Sequence, residues 1–253
     1  MVYYTVLPTE LDLDDYEKIY NDVMPFLPNF RKEKASGIIP VRERVVSALS
    51  FVLLCSGLLS EYPGLFGVRD IASVGNLIQF SYGENGKPAL CAPYGDIFFN
   101  MSHCRTAIAC VVAPFEVGVD IQDIRRPSAA VLKRTGRDMN SGEFSAFWSR
   151  YEAYTKLTGE GISRGLADCD YMSEDFLKAN NVSIETTPVF YPDSLCSSSD
   201  FVSSDSIQTC SALSDNAQKK TAAFLSTAFY DNHNTNFNNI FCDFSRLCKP
   251  ALL

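Results

Sequence analysis

Val117-Gly118-Val119-Asp120-Ile121-Gln122 alternates apolar residues with small or polar ones. That is the period-two pattern of a strand with one buried face, and it places Asp120 and Gln122 together on the other face. From Asn140 the period changes. Asn140 with Glu143 three residues on forms a capping-box start, and Phe144, Phe147, Trp148, Tyr151 and Tyr154 then recur at helical spacing until Gly159 and Gly161 end the run. Glu152 and Lys156 lie one turn apart beside that aromatic stripe and can point into one cleft. A strand and a helix can thus both carry charge toward one place.

Outward from this pair, Ile97 to Met101 reads as a strand. Thr106 to Ala113 is a second β-rich run, separated from Val117 to Gln122 by Pro114, Phe115 and Glu116, which predicts a hairpin. Residues 83 to 95 read as loop. Val45 to Leu59 is apolar nearly all round, with Pro40 near its start, Arg42, Glu43 and Arg44 in its first turns and Gly57 as its stop. It falls short of the roughly 20 residues that cross a bilayer, so it is expected to be buried and no membrane association is expected. Residues 193 to 215 carry nine Ser and four Asp and residues 231 to 239 are Asn-rich, which predicts an irregular, protease-sensitive insertion before two last apolar segments, Thr221 to Tyr230 and Ile240 to Leu247.

With 253 residues, 46% of them hydrophobic, the chain can bury a full core, and general disorder is excluded. A net charge of -8 argues against a nucleic-acid backbone as partner, so any anion site must be local. Only His103 and His233 are present, which removes the raw material for multi-histidine zinc sites. Nine scattered cysteines without a CxxC pair, and a start that lacks the features of a secretory segment, lead us to expect reduced thiols in the cytoplasm.

Asp120, Glu152 and the amide oxygen of Gln122 offer the oxygen-rich, incomplete shell that Mg²⁺ takes when phosphate and water complete it. Lys87, Arg44, His103 and Lys156 are cations or donors suited to phosphates. Together they point to chemistry on a diphosphate. Gly83-Glu-Asn-Gly86-Lys87-Pro88 has the wrong glycine spacing for a phosphate loop, and no GxSxG elbow surrounds Ser102 and His103.

Gly86-Lys87-Pro88, Phe99-Asn100-Met101-Ser102-His103, Val117-Gly118-Val119-Asp120-Ile121 and Trp148-Ser-Arg-Tyr-Glu152-Ala-Tyr-Thr-Lys156-Leu-Thr-Gly-Glu-Gly161 follow in order. This set resembles the ordered motifs GKP, FNxSH, (V/I)G(V/I)D(I/V)E and WxxKEAxxKxxGxG of the Sfp-type 4'-phosphopantetheinyl transferases, over residues 30 to 165 or so. The resemblance implies transfer of the phosphopantetheine arm of coenzyme A to a serine of an apo acyl or peptidyl carrier protein, with 3',5'-ADP leaving. It implies Asp120, Glu152 and Gln122 as ligands of Mg²⁺, or of Mn²⁺ in its place, Glu152 also as base, and Lys156 as neutraliser of the diphosphate. Arg44, Lys87, Pro88, Ser102, His103 and Lys156 would hold coenzyme A, with His103 and Arg44 near the 3'-phosphate. Gln122 stands where the family pattern has Glu, and Tyr151 where many members have Lys. The alternative is a degenerate module that binds coenzyme A or a carrier without catalysis.

The implied fold is α+β, two similar α/β subdomains about a pseudo-twofold axis, residues 1–115 and 116–253. The active site would lie between them in a monomer.

Overall fold

The long apolar run contains no proline and forms a helix that is buried over most of its length. In the computed structural model, which describes residues 1–68, 70–161, 172–191, 221–231, 237–243 and 247, it is α3 (Val41–Glu61), capped by Pro40. Before it come β1 (Val2–Val6), α1 (Leu13–Val23) and α2 (Asn29–Ser36). After it come α4 (Ile71–Leu77), β2 (Phe80–Tyr82), β3 (Pro88–Leu90), β4 (Phe98–His103), β5 (Ala107–Ala113) and β6 (Val117–Asp123). The chain continues through α5 (Ala129–Thr135), α6 (Ser141–Thr158), α7 (Glu174–Ala179), β7 (Val182–Phe190), β8 (Thr221–Tyr230) and β9 (Asn239–Phe241).

Two main sheets pack face to face between two long helices. One has the order β4-β5-β1-β9, with β1 antiparallel to β5 and parallel to β9. The other is antiparallel, β6-β8-β7. β5 explains the stacking. Ile108, Cys110 and Val112 belong to the core under α3, and Ala107, Ala109, Val111 and Ala113 meet Val117, Val119 and Ile121 of β6. A strand buried on both faces has no polar side, which is why AIACVVA shows no alternation.

Four expectations change against this frame. β5 and β6 do not pair as a hairpin; the Pro114–Glu116 turn carries the chain from one sheet to the other, because both strands bury apolar faces against each other. Gly57 does not stop α3. It lies inside the helix, where a Cβ would come within 3.1 Å of the Tyr3 ring and Val112, so it lets α3 lie close on β1 and β5. Residues 83 to 95 are not all loop, since β3 pairs with β2. The helix is also longer than its apolar run. At 21 residues it meets the length and apolarity of a membrane span, yet 67% of that window is buried inside the molecule, where α1, α4, β4 and β5 cover it.

β6, β4 and α6 set the site. α6 carries the capping box read from Asn140 and Glu143, with Gly159 left-handed at its end, φ 74°. It docks on β6 and β8 through a row of small residues, with Tyr151 and Tyr154 buried beside them. Ser145, Ser149 and Ala153 are buried, and Ser149 Oγ hydrogen-bonds Ser226 Oγ at 2.6 Å. The edge of β6 is tied to the other sheet: the Val119 N–H donates to Asn100 Oδ1, and Asp123 accepts from the N–H groups of Arg105 and Thr106 and from Thr106 Oγ1. The first of these satisfies a backbone donor on an edge that would otherwise be open. The Ser-rich segment 193–215 lies outside the described residues.

Candidate active site

Three elements converge on Asp120. β6 delivers its carboxylate on the face turned to α6, where it is 2% exposed. β4 brings Ser102, whose hydroxyl donates to Asp120 Oδ1 at 2.6 Å. α6 brings Lys156, whose ammonium donates to the same oxygen at 2.5 Å and to Ser102 Oγ at 2.9 Å. Glu152, one turn earlier, has Oε2 at 3.8 Å from Lys156 Nζ, and its Oε1 accepts from Trp148 Nε1. The other Asp120 oxygen, Oδ2, is buried with no partner.

A buried carboxylate oxygen without a partner is costly unless something cationic faces it. With Glu152 beside it, this is a two-carboxylate site that fits a hard divalent cation, whose remaining ligands would be phosphate and water. Among the described residues no group of three His, Cys, Asp or Glu gathers at one point. Burial first, then the charge of Asp120, push the Glu152 carboxyl above the ordinary carboxylate range, against the opposing pull of Lys156 and the indole N–H. A carboxylate so raised takes up a proton more readily.

Two cavities open on this cluster and share Met101, Glu152 and Lys156. One, about 390 Å³, is also lined by Ser102, His103, Asp120, Gln122 and Arg125. The other, about 310 Å³, is lined by Gly86, Lys87, Pro88, Asn100 and the glycines that close α6. Lys87 is not free in it: its ammonium donates to Leu157 O at 2.9 Å, and Asn85 donates to Gly159 O. The GKP segment therefore clasps the carbonyl end of α6, where a cation is favoured. Desolvation keeps the His103 imidazole below the ordinary histidine range, with Glu43 pulling the other way. A third cavity of about 380 Å³, between α2 and residues 76–79, has Lys32 as its one charged lining residue.

Arg44 is not brought to the cluster. It donates to the carbonyls of Ile38 and Ile39 and lies over the Tyr20 ring, holding the turn before α3. Arg42 is the arginine on the site side, donating to Arg105 O at 2.5 Å at the end of β4. Trp148 is half-buried, and its indole N–H donates to Glu152. The four-residue step from Trp148 to Glu152 was a readable signal for that bond; the approach of Arg42 depends on the turn at 104–106, which no local pattern shows.

Comparison with known proteins meets this geometry. No family model matches the chain. It is 31% identical over 102 residues to the 4'-phosphopantetheinyl transferase psf-1 of Bacillus pumilus, covering 36% of this chain and 43% of the relative. With the 4'-phosphopantetheinyl transferase Sfp of Bacillus subtilis (strain 168) the identity is 31% over 121 residues, 43% of this chain and 52% of the relative. With HetI of Nostoc sp. it is 26% over 104 residues, 34% and 44%. The chain is related to the 4'-phosphopantetheinyl transferases. The matched stretches span about half the length of these curated relatives. In 4'-phosphopantetheinyl transferase terms, the third and fourth motifs are the two that meet at Asp120, Glu152 and Lys156, and the second adds Ser102 to them.

Proposed function

We propose that the chain transfers the phosphopantetheine arm of coenzyme A to a serine of an apo acyl or peptidyl carrier protein. The observation that carries this reading is the buried Asp120 held by Lys156 and Ser102 beside Glu152, with one oxygen left without a hydrogen-bond partner. In the reaction the serine oxygen forms a bond to the phosphorus next to pantetheine, the bond from that phosphorus to 3',5'-ADP breaks, and the serine proton passes to Glu152. Lys156, fixed by its two hydrogen bonds, faces the diphosphate as a preorganised cation. Ser102, His103, Lys87 and Pro88 line the coenzyme cavities. Arg42 is better placed than Arg44 for the 3'-phosphate, while Arg44 supports the preceding turn. Asp120 and Glu152 would hold Mg²⁺, or Mn²⁺ in its place. When bound, the ion supplies charge neutralisation at the diphosphate.

The paired arrangement, α3 on one antiparallel set of strands and α6 on another, supports a pseudo-twofold pair of subdomains divided near residue 115. The scattered cysteines favour the cytoplasm. For the carrier, residues 124–137 are the suited surface: Arg125, Arg126, Lys133, Arg134 and Arg137 occur there with no acidic residue, in a chain of net charge -8, and α5 is largely exposed. Reversing Lys133 and Arg134 to Glu is expected to raise the carrier KM about tenfold, and more at low salt, with the coenzyme A KM unchanged.

Incubation with coenzyme A, Mg²⁺ and a panel of apo carriers, read by intact mass, tests the reading. The expected result is a carrier heavier by one phosphopantetheine and no product after chelation. Coenzyme A binding with no mass shift on any carrier supports the binding-only alternative, which Gln122 favours because it removes one metal-site charge. Gln122 lines the cavity with Asp120. Gln122→Glu should therefore lower the Mg²⁺ concentration for half-maximal rate by about three- to tenfold, since an anionic oxygen binds the ion more strongly than an amide. An unchanged metal dependence would place Gln122 outside the site.

A further inference from the structure

We infer that Arg125 is a positioning residue for Glu152 and acts through the indole of Trp148. The kinetic part of this inference rests on the transfer reading above; the rest is geometry. Phe144, Trp148, Glu152 and Lys156 succeed one another at four-residue intervals, so they form one row along α6. Arg125 reaches that row from the end of β6. Its backbone N–H donates to Ser145 Oγ at 3.0 Å, which pins the chain to the first turns of the helix. Its guanidinium carbon lies 5.4 Å from the Trp148 ring and 5.6 Å from the Phe144 ring, and the two rings are 5.6 Å apart.

The guanidinium covers both rings and forms no ion pair with any described residue, so the rings and not a carboxylate fix where it lies. The ring it covers is the one whose Nε1–H is aimed at Glu152 Oε1. Besides the indole, Glu152 meets among the described residues only the Asp120 carboxylate, a like charge, and the Lys156 ammonium. Its contact to Lys156 is 3.8 Å, and the Lys156 ammonium makes its short bonds to Asp120 and Ser102 instead. A sparsely held carboxylate beside a buried charge will turn away unless the indole keeps it. Arg is the residue for this purpose, because a planar guanidinium can lie over two rings and a compact ammonium cannot.

Trp148 is the single tryptophan of the chain, so its emission, excited where tyrosine does not absorb, reports the surroundings of this ring alone. The full chain carrying Arg125→Ala or Arg125→Lys is compared with the wild type in emission, acrylamide quenching, and kcat and KM for coenzyme A. For Arg125→Ala we expect red-shifted emission, stronger quenching and a kcat about three- to tenfold lower with an unchanged KM, the scale of one exposed cation–π contact and the bond it orients. Arg125→Lys should recover part of both. Glu152→Ala, which removes the acceptor, should move the emission too, and the double variant should move it by less than the sum of the singles.

Unmoved emission in Arg125→Ala overturns the inference. So does moved emission with an unchanged kcat, or a loss expressed wholly in KM, which would make Arg125 a substrate contact. If the wild type transfers nothing, the transfer reading fails, and the emission cycle of Arg125→Ala, Glu152→Ala and their double still decides whether Arg125 acts on Glu152 through Trp148.

Discussion

Lys156→Ala should abolish transfer and destabilise the protein at the same time. On the transfer reading the ammonium is the cation that faces the reacting phosphates, and removing a preorganised donor of that kind costs about 10²- to 10³-fold in rate. It is also the ionic partner of Asp120, a carboxylate 2% exposed. Taking one member from a buried pair leaves the other charge uncompensated, which costs about 3 kcal/mol here, at the low end of the range for buried pairs because the Lys156 side chain is 29% exposed. Asp120→Asn combined with Lys156→Ala removes the stranded charge. Thermal or urea unfolding should show most of the stability restored in the double variant, while intact-mass assays show no recovery of transfer. Full activity in Lys156→Ala would remove this residue from the chemistry, and equal instability of the single and double variants would show that Asp120 is not charged in the fold.

Gly118→Ala should have an effect of similar size by a steric route. Its backbone is not in the left-handed region, so the demand for glycine is one of space alone. A Cβ there would lie 2.1 Å from Ala153 O and 2.5 Å from Leu157 N, both backbone atoms of α6. No side-chain rotation relieves that clash; the helix itself must move away from β6. Overpacking of this kind costs about 1–3 kcal/mol or more. Because α6 carries both Glu152 and Lys156, the shift also separates them from Asp120, and a displacement near 1 Å costs about 10²-fold in rate. Denaturant melts and transfer rates measured on the same preparation check both parts, and a wild-type rate would show that the close approach is not needed.

The site was more legible in the chain than the fold around it. Alternation in Val117–Gln122 and the i,i+4 step from Glu152 to Lys156 are local patterns, and they place Asp120, Glu152 and Lys156 on facing surfaces before any contact is known. The caps of α6 were equally local. What escaped depends on distant segments. β7 was not read, because SIETTPVF mixes apolar and polar residues without a clean period until β8 pairs with it. The hairpin between β5 and β6 was inferred from spacing, which cannot distinguish pairing within a sheet from packing between two sheets. Gly57 and Gly118 both read as ordinary small residues, and only the neighbours at 3.1 Å and 2.1 Å give them their meaning.

The place of β1 bears on how the chain is made. The first strand pairs with β5, as in Val2 opposite Val111, and on its other side with β9, as in Val2 opposite Asn239. β1 thus waits for a partner more than a hundred residues later in the chain, and for a second partner later still. Until β5 leaves the ribosome, the edges of β1 are open to other chains. Pairings of such long sequence separation close slowly. Helix α3 emerges in that interval before β4 and β5, the strands it packs on, so the stretch from β1 to α3 has need of a chaperone until they follow.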